Sequence, residues 1–151
     1  MKRANTLILI LLVVGCTSSV VLDPGRYEIM DPTYASDLRS LCSRPGPPAF
    51  EGTWVPTDKE VRAMEAEFRK LLRLRSKTCC IYGERVYDIN LYYRQYFGLV
   101  VQGRRLIYIN ATRHRPTAGI SDGCDGGSGY WGVLYDPSEH RFFQLAFNGE
   151  A

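Results

Sequence analysis

Residues 122–129 read DGCDGGSG, and Tyr130-Trp131 follow at once. Carboxylates and glycines packed this closely first raise the chemistry of a cation loop. A calcium loop of the EF-hand kind needs oxygen donors at alternate positions and a closing glutamate at the twelfth. Here Asp122 and Asp125 are three apart, Cys124 takes an alternate position, and no glutamate follows at the required distance. No metal site is therefore assigned. The aspartates are expected to cap turns, and the glycines to supply left-handed backbone.

Hydrolysis of a glycosidic bond would need two carboxylates flanking the sugar. Asp122, Asp125, Asp136 and Glu139 are available, together with His114 and His140, but none sits in a recognisable motif. His114 lies in the basic run Thr-Arg-His-Arg-Pro, and His140 lies in a turn. No G-x-S-x-G, H-E-x-x-H or phosphate-loop pattern occurs. No catalytic residue and no cofactor are assigned, and the chain reads as a non-enzyme.

Recognition of a partner fits the same loop better. Residues 112–131 are expected to form a long connection, and long ordered loops often carry function. Arg113, His114 and Arg115 stand at one end, Asp122 and Asp125 in the middle, and Tyr130 and Trp131 at the other end. Arg, Tyr and Trp are the types that anchor protein interfaces. The competing structural role is a core position for Trp131. The tyrosine-rich stretch at Tyr92, Arg94 and Tyr96 is a second candidate surface.

The N-terminus sets the compartment. Lys2 and Arg3 precede an aliphatic run from Leu7 to Val14, which is too short to span a bilayer. Val13-Val14-Gly15-Cys16 then resembles the lipobox of bacterial lipoproteins. That resemblance covers residues 1–16 and implies cleavage before Cys16, with acylation of its sulfur and new amino group. Multiple acyl chains hold a protein firmly on a membrane. Thr17 follows, where an aspartate would resemble an inner-membrane retention mark. The expected location is the outer membrane, lipid-anchored, on its periplasmic face.

Removing residues 1–15 takes Lys2 and Arg3 from 19 basic side chains and nothing from 16 acidic ones, leaving 17 against 16. Near-neutrality gives no footprint for nucleic acid. The lipobox accounts for Cys16, so Cys42, Cys79, Cys80 and Cys124 remain in an oxidising compartment, and disulfides are expected. A bond between neighbours Cys79 and Cys80 is strained. The pairings left are Cys42–Cys79 with Cys80–Cys124, or Cys42–Cys80 with Cys79–Cys124. Either would tie the glycine-rich loop to the segment after a helix.

The elements that must position this loop follow from periodicity. Residues 16–53 hold the lipidated cysteine and a proline-rich stretch, expected as a tether off the membrane. Residues 54–151 are expected as one globular domain. Thr57 and Glu60 form a capping-box pattern. Val61, Met64, Phe68, Leu71 and Leu72 then fit one face of a helix of about five turns, ending near Arg75. Its C-terminal charges Arg69, Lys70, Arg73 and Arg75 read as a solvated face. Alternation from residue 81 onward predicts a long strand, a turn at Gln102-Gly103, a returning strand over 104–111, and strands over 130–135 and 141–147. The expected fold is α+β: one N-terminal amphipathic helix on a four-stranded antiparallel meander, braced by disulfides. Helix-plus-meander modules recur among cystatin-like and inhibitor-like folds, an analogy of fold alone.

Periplasmic lysozyme inhibitors share the location, size and rigid polar loop, and they insert a Ser-Gly-x-x-Tyr motif into a hydrolase cleft. Here Tyr130 directly follows Ser128-Gly129, and Gly132 stands four after Ser128. The motif's roles are not transferred. The expected function is a non-enzymatic protein-binding module, an inhibitor or immunity protein against a cell-wall hydrolase. The alternative is an accessory lipoprotein of envelope assembly or secretion, meeting its partner through a sheet face or edge. A cell-wall enzyme ranks third.

Overall fold

A computed structural model describes residues 20, 22–23, 25–78 and 80–150. The expected signal peptide 1–15, Cys16 and Cys79 lie outside the described residues. Two strands form the centre of the sheet. β3 (Tyr93–Val101) and β4 (Arg104–Thr112) pair antiparallel from Tyr93↔Thr112 to Val101↔Arg104. The turn between them places Gln102 at φ 51 and Gly103 at φ 72, the pair of positive angles that matches strand twist in a two-residue hairpin. β5 (Tyr130–Asp136) pairs with β4, and β6 (Arg141–Phe147) pairs with β5 at the sheet edge. Gln144, at φ 55, makes a bulge opposite Val133 in that edge strand.

The architecture differs from the expected one. The sheet is six-stranded and mixed rather than a four-stranded antiparallel meander. β1 (Tyr27–Ile29) pairs parallel with Arg94–Tyr96, and β2 (Gly52–Trp54) pairs antiparallel with Gly98–Val100. Two three-residue strands thus share the free edge of β3. Between them lies a 3-10 helix, Pro32–Ser40, capped where the Asp31 carboxylate accepts the Thr33 N–H at 2.8 Å. Ala35 and Leu38 of that helix are buried. Residues 27–53 are therefore part of the domain and not a tether.

The single amphipathic helix is also corrected. α1 (Asp58–Glu65) and α2 (Phe68–Leu71) are two short helices joined through Ala66-Glu67. The capping box is present, with the Thr57 N–H donating to Glu60 Oε2 at 2.8 Å. The break turns Glu67 toward the β5–β6 turn, where its carboxylate meets His140 Nδ1 at 2.8 Å and Lys70 Nζ at 2.7 Å. Val61, Met64, Phe68 and Leu71 still bury completely, against Ile107, Ile109, Trp131 and Val133.

Both faces of the sheet are covered. The helices cover one; the 3-10 helix and Phe50 cover the other, over Phe97, Leu99, Leu106 and Tyr108. Tyr92, Arg94 and Tyr96, expected on an outer face, point into the helix side and are 4 % exposed or less. There the Arg94 Nε donates to the Tyr96 hydroxyl at 2.9 Å, and that hydroxyl donates to Glu65 Oε1 at 2.6 Å. Burial, with the Glu65 charge adding to it against Arg94, pushes the Tyr96 hydroxyl well above its ordinary pKa. This chain fastens α1 to β3.

Candidate functional site

The loop between β4 and β5 is held by three consecutive residues far away in sequence. Cys42 forms a disulfide with Cys124, with Cα atoms 5.1 Å apart. Its N–H also donates to Asp122 Oδ2 at 2.8 Å. The Ser43 hydroxyl accepts the Asp125 N–H at 3.0 Å, while its carbonyl accepts the Gly149 N–H at 3.1 Å. Arg44, 4 % exposed, donates to the side-chain oxygens of Asn110 and Asn148. Asn148 in turn donates to the Gly123 carbonyl.

The network continues under the loop. Asn110 Nδ2 donates to Gln95 Oε1 at 2.9 Å and to the Ser121 carbonyl at 2.8 Å. Gln95 Nε2 donates to the Gly119 carbonyl and to Glu28 Oε1, both at 2.7 Å. Segment 119–125 is thereby tied to β1, β3 and β4, to residues 42 and 43, and to Asn148. Buried polar groups need such partners, although the Arg44 Nε finds none here.

Neither expected disulfide pairing occurs, because Cys42 and Cys124 join each other. The Cys80 Sγ lies 3.2 Å from the Ser43 carbonyl oxygen, beside the same junction. The two aspartates are spent on the loop itself: Asp122 caps the Cys42 N–H, and Asp125 takes φ 54. Among the described residues, no group of three His, Cys, Asp or Glu side chains is placed to hold a metal ion. The glycines have a packing role. A Cβ at Gly123 or Gly126 would run into the Tyr130 ring, which lies across both.

Trp131, expected as a partner anchor, is fully buried with its ring edge against Tyr92 at 5.4 Å between centroids. It belongs to the core. Tyr130 is half-buried on the glycines. Arg113, His114 and Arg115 are exposed together at the start of the loop. The Arg113 guanidinium sits over the Tyr92 ring at 5.7 Å, and the His114 ring lies 6.5 Å from that of Tyr130. Arg115 and Pro116 then lead the chain along a seam against Tyr27, Glu28 and Tyr34. The two hollows in this seam hold about 70 and 230 Å³. Pockets that engulf small molecules are ~300–1,000 Å³, a size that neither of these two hollows reaches.

The remaining candidate acids and bases serve local structure. Asp136 receives the Ser138 hydroxyl at 2.6 Å and Arg104 at 3.0 Å. Burial alone would raise its pKa, but these hydrogen bonds and Arg104 hold it below the usual carboxylate range. Glu139 pairs with Arg141 and Arg104. His140 bridges to Glu67, whose carboxyl is pushed up by burial and pulled down further by Lys70 and His140.

Ser43, Arg44, Gln95, Asn110 and Asn148 carry the loop's geometry, and none was expected from sequence. Their only shared mark is a polar side chain flanked by apolar or turn residues, which many surface positions also show. No family model matches the chain, and neither a curated protein nor a solved structure matches it.

Proposed function

We propose that this chain is a bacterial lipoprotein, anchored through Cys16 to the outer membrane on its periplasmic side, that binds a protein partner without catalysing a reaction. The partner class to which compartment and loop chemistry point is a peptidoglycan hydrolase, inhibited or neutralised by the docked loop. One observation carries the reading. The loop after β4 is locked from beneath by the Arg44 network and the Cys42–Cys124 bridge, yet its first turn holds Arg113, His114 and Arg115 in solvent. A pre-ordered loop loses less entropy when a partner closes on it.

The expected anchor is tested by the mass of the peptide carrying residue 16 and by the release of a Cys16→Ala chain from membranes. The recognition surface is tested by affinity capture from envelope extract, comparing the chain with an Arg113→Ala/Arg115→Ala variant. Capture of a wall hydrolase by the first and not the second supports the reading. Equal capture by both, or none by either, overturns it. A sheet-edge partner has less support: β1 and β2 occupy one edge, and the Gln144 bulge breaks the other.

A further inference from the structure

We propose that the face carrying Tyr87 and Leu91, with the basic stretch beside it, lies on an anionic phospholipid surface. The inference rests on lipid attachment at Cys16. It starts from where the chain enters the domain. Val20 and Leu22 pack against the helix-side core, and the Asp23 N–H donates to Asn90 Oδ1 at 3.2 Å. The N-terminal segment thus leaves the domain beside residues 89–91. Cys16 is four residues before Val20, a span of at most about 14 Å when fully extended. With residues 27–53 built into the fold, no long spacer separates lipid from domain. The side that faces the bilayer is then the side where the chain enters.

That side has the composition a bilayer interface selects. Tyr87 and Leu91, on either side of Asn90 in sequence, are 67 % and 49 % exposed. Tyrosine places an apolar ring and a polar tip across such a boundary. The Arg85 guanidinium covers the Tyr87 ring at 4.6 Å. Charge gathers in the same region. Lys70 is taken up by Glu67 at the β5–β6 turn, but residues 73–88 hold Arg73, Arg75, Lys77 and Arg85 against Glu84 and Asp88. Arg75 Nη1 donates to the Gly83 carbonyl at 3.0 Å, and the Ser76 N–H donates to the Glu84 carbonyl at 2.8 Å. These bonds bring the basic stretch next to the segment that carries Tyr87. Lysines and arginines held near an anionic leaflet each strengthen its attraction.

The experiment uses the full chain produced in a bacterial envelope, with a benzophenone side chain replacing Tyr87 or Leu91. Tyr34, on the 3-10 helix over the opposite sheet face, is the control position. Illumination is expected to join phospholipid to positions 87 and 91 several-fold more than to position 34. The same sample gives the mass of the residue-16 peptide. If that peptide is lipidated and position 87 yields no more lipid adduct than position 34, the face is wrong while the anchor stands. Protein adducts in place of lipid at 87 overturn the proposal in the same way. If residue 16 is unmodified, the anchor fails, and binding of residues 17–151 to mixed phosphatidylethanolamine–phosphatidylglycerol vesicles decides the face. That chain retains every described element. Arg73→Glu/Lys77→Glu is expected to weaken its partition at least about tenfold, and no binding by the parent chain overturns the proposal.

Discussion

Among the described residues, each face of the sheet buries one arginine, and the two are held in different ways. Arg94, on the helix side, has the Glu65 carboxylate at 3.6 Å, the Tyr96 hydroxyl, two backbone carbonyls and the Phe68 ring about it. Arg44, on the loop side, donates to the neutral side-chain oxygens of Asn110 and Asn148. The first is a charge pair that docks helices on a sheet. The second is a positive centre dispersed over amides, and it orders loops that have few apolar contacts of their own. Charge pairing concentrates the dependence on two groups, whereas the amide network spreads it over a surface loop, the C-terminus and β4.

The largest test of that contrast is Glu65→Ala. It strands a guanidinium that stays charged, and should cost about 3–5 kcal/mol in chemical denaturation. A small loss would show that Arg94 does not depend on its partner. Next is Cys42→Ser/Cys124→Ser, expected to cost about 2–4 kcal/mol for a bridge of this kind. Amide exchange should quicken over 119–127 while α1 stays protected. Arg44→Met leaves amide oxygens unpaired at about 1–3 kcal/mol each, and the faster exchange should again map to the loop and residues 148–150. Spread of that exchange into α1 would erase the distinction between the faces. Thr57→Ala removes a cap and should cost about 1 kcal/mol, read as fraying confined to α1.

The smallest effect at neutral pH is expected from Tyr135→Phe, but alkali sharpens the comparison. Burial, then the Glu67 charge, pushes the Tyr135 hydroxyl from 10 up to about 12, and Tyr96 moves in the same direction. For a group raised in the folded state, the stabilising contribution is complete below pH 10 and is lost as pH rises through 12. Both tyrosines sit on the helix side. Tyrosinate absorbance should therefore lag behind free tyrosine, and α1 should lose protection before the loop does. Tyr135→Phe should remove part of that alkaline loss. Earlier loosening of the loop would contradict the assignment.

Local patterns were legible in the sequence where one short-range rule governs. Thr57 and Glu60 are three apart because the cap demands it, and the Gln102-Gly103 turn and the positions of β4 to β6 follow from alternation. The architecture was not legible. Strands of three residues such as β1 and β2 are too short to show a period. Tyr92, Arg94 and Tyr96 look like an exposed stripe unless something is known to cover them, and that cover is a helix pinned by Glu65. The helix pattern through Arg75 runs unbroken in sequence, because the break at Ala66-Glu67 preserves the burial of Phe68 and Leu71. Discarding the strained neighbour bond while assuming two bridges leaves out the Cys42–Cys124 pair that forms. Of the candidate loop, Arg113, His114 and Arg115 lie on the surface. Trp131 does not, since its indole fills the space between Tyr92 and the core.

The junction at Cys42, Ser43 and Arg44 also sets a timetable. A polypeptide made from its N-terminus presents these residues early, with nothing to hold. β1 and β2 must wait for β3, Cys42 waits 82 residues for Cys124, and Ser43 and Arg44 wait for Gly149 and Asn148. Contacts this distant close late and slowly. The junction at residues 42–44 must therefore stay open until residues 148 and 149 have arrived, long after β1 and β2 can meet β3, and it is most open to wrong partners during that interval.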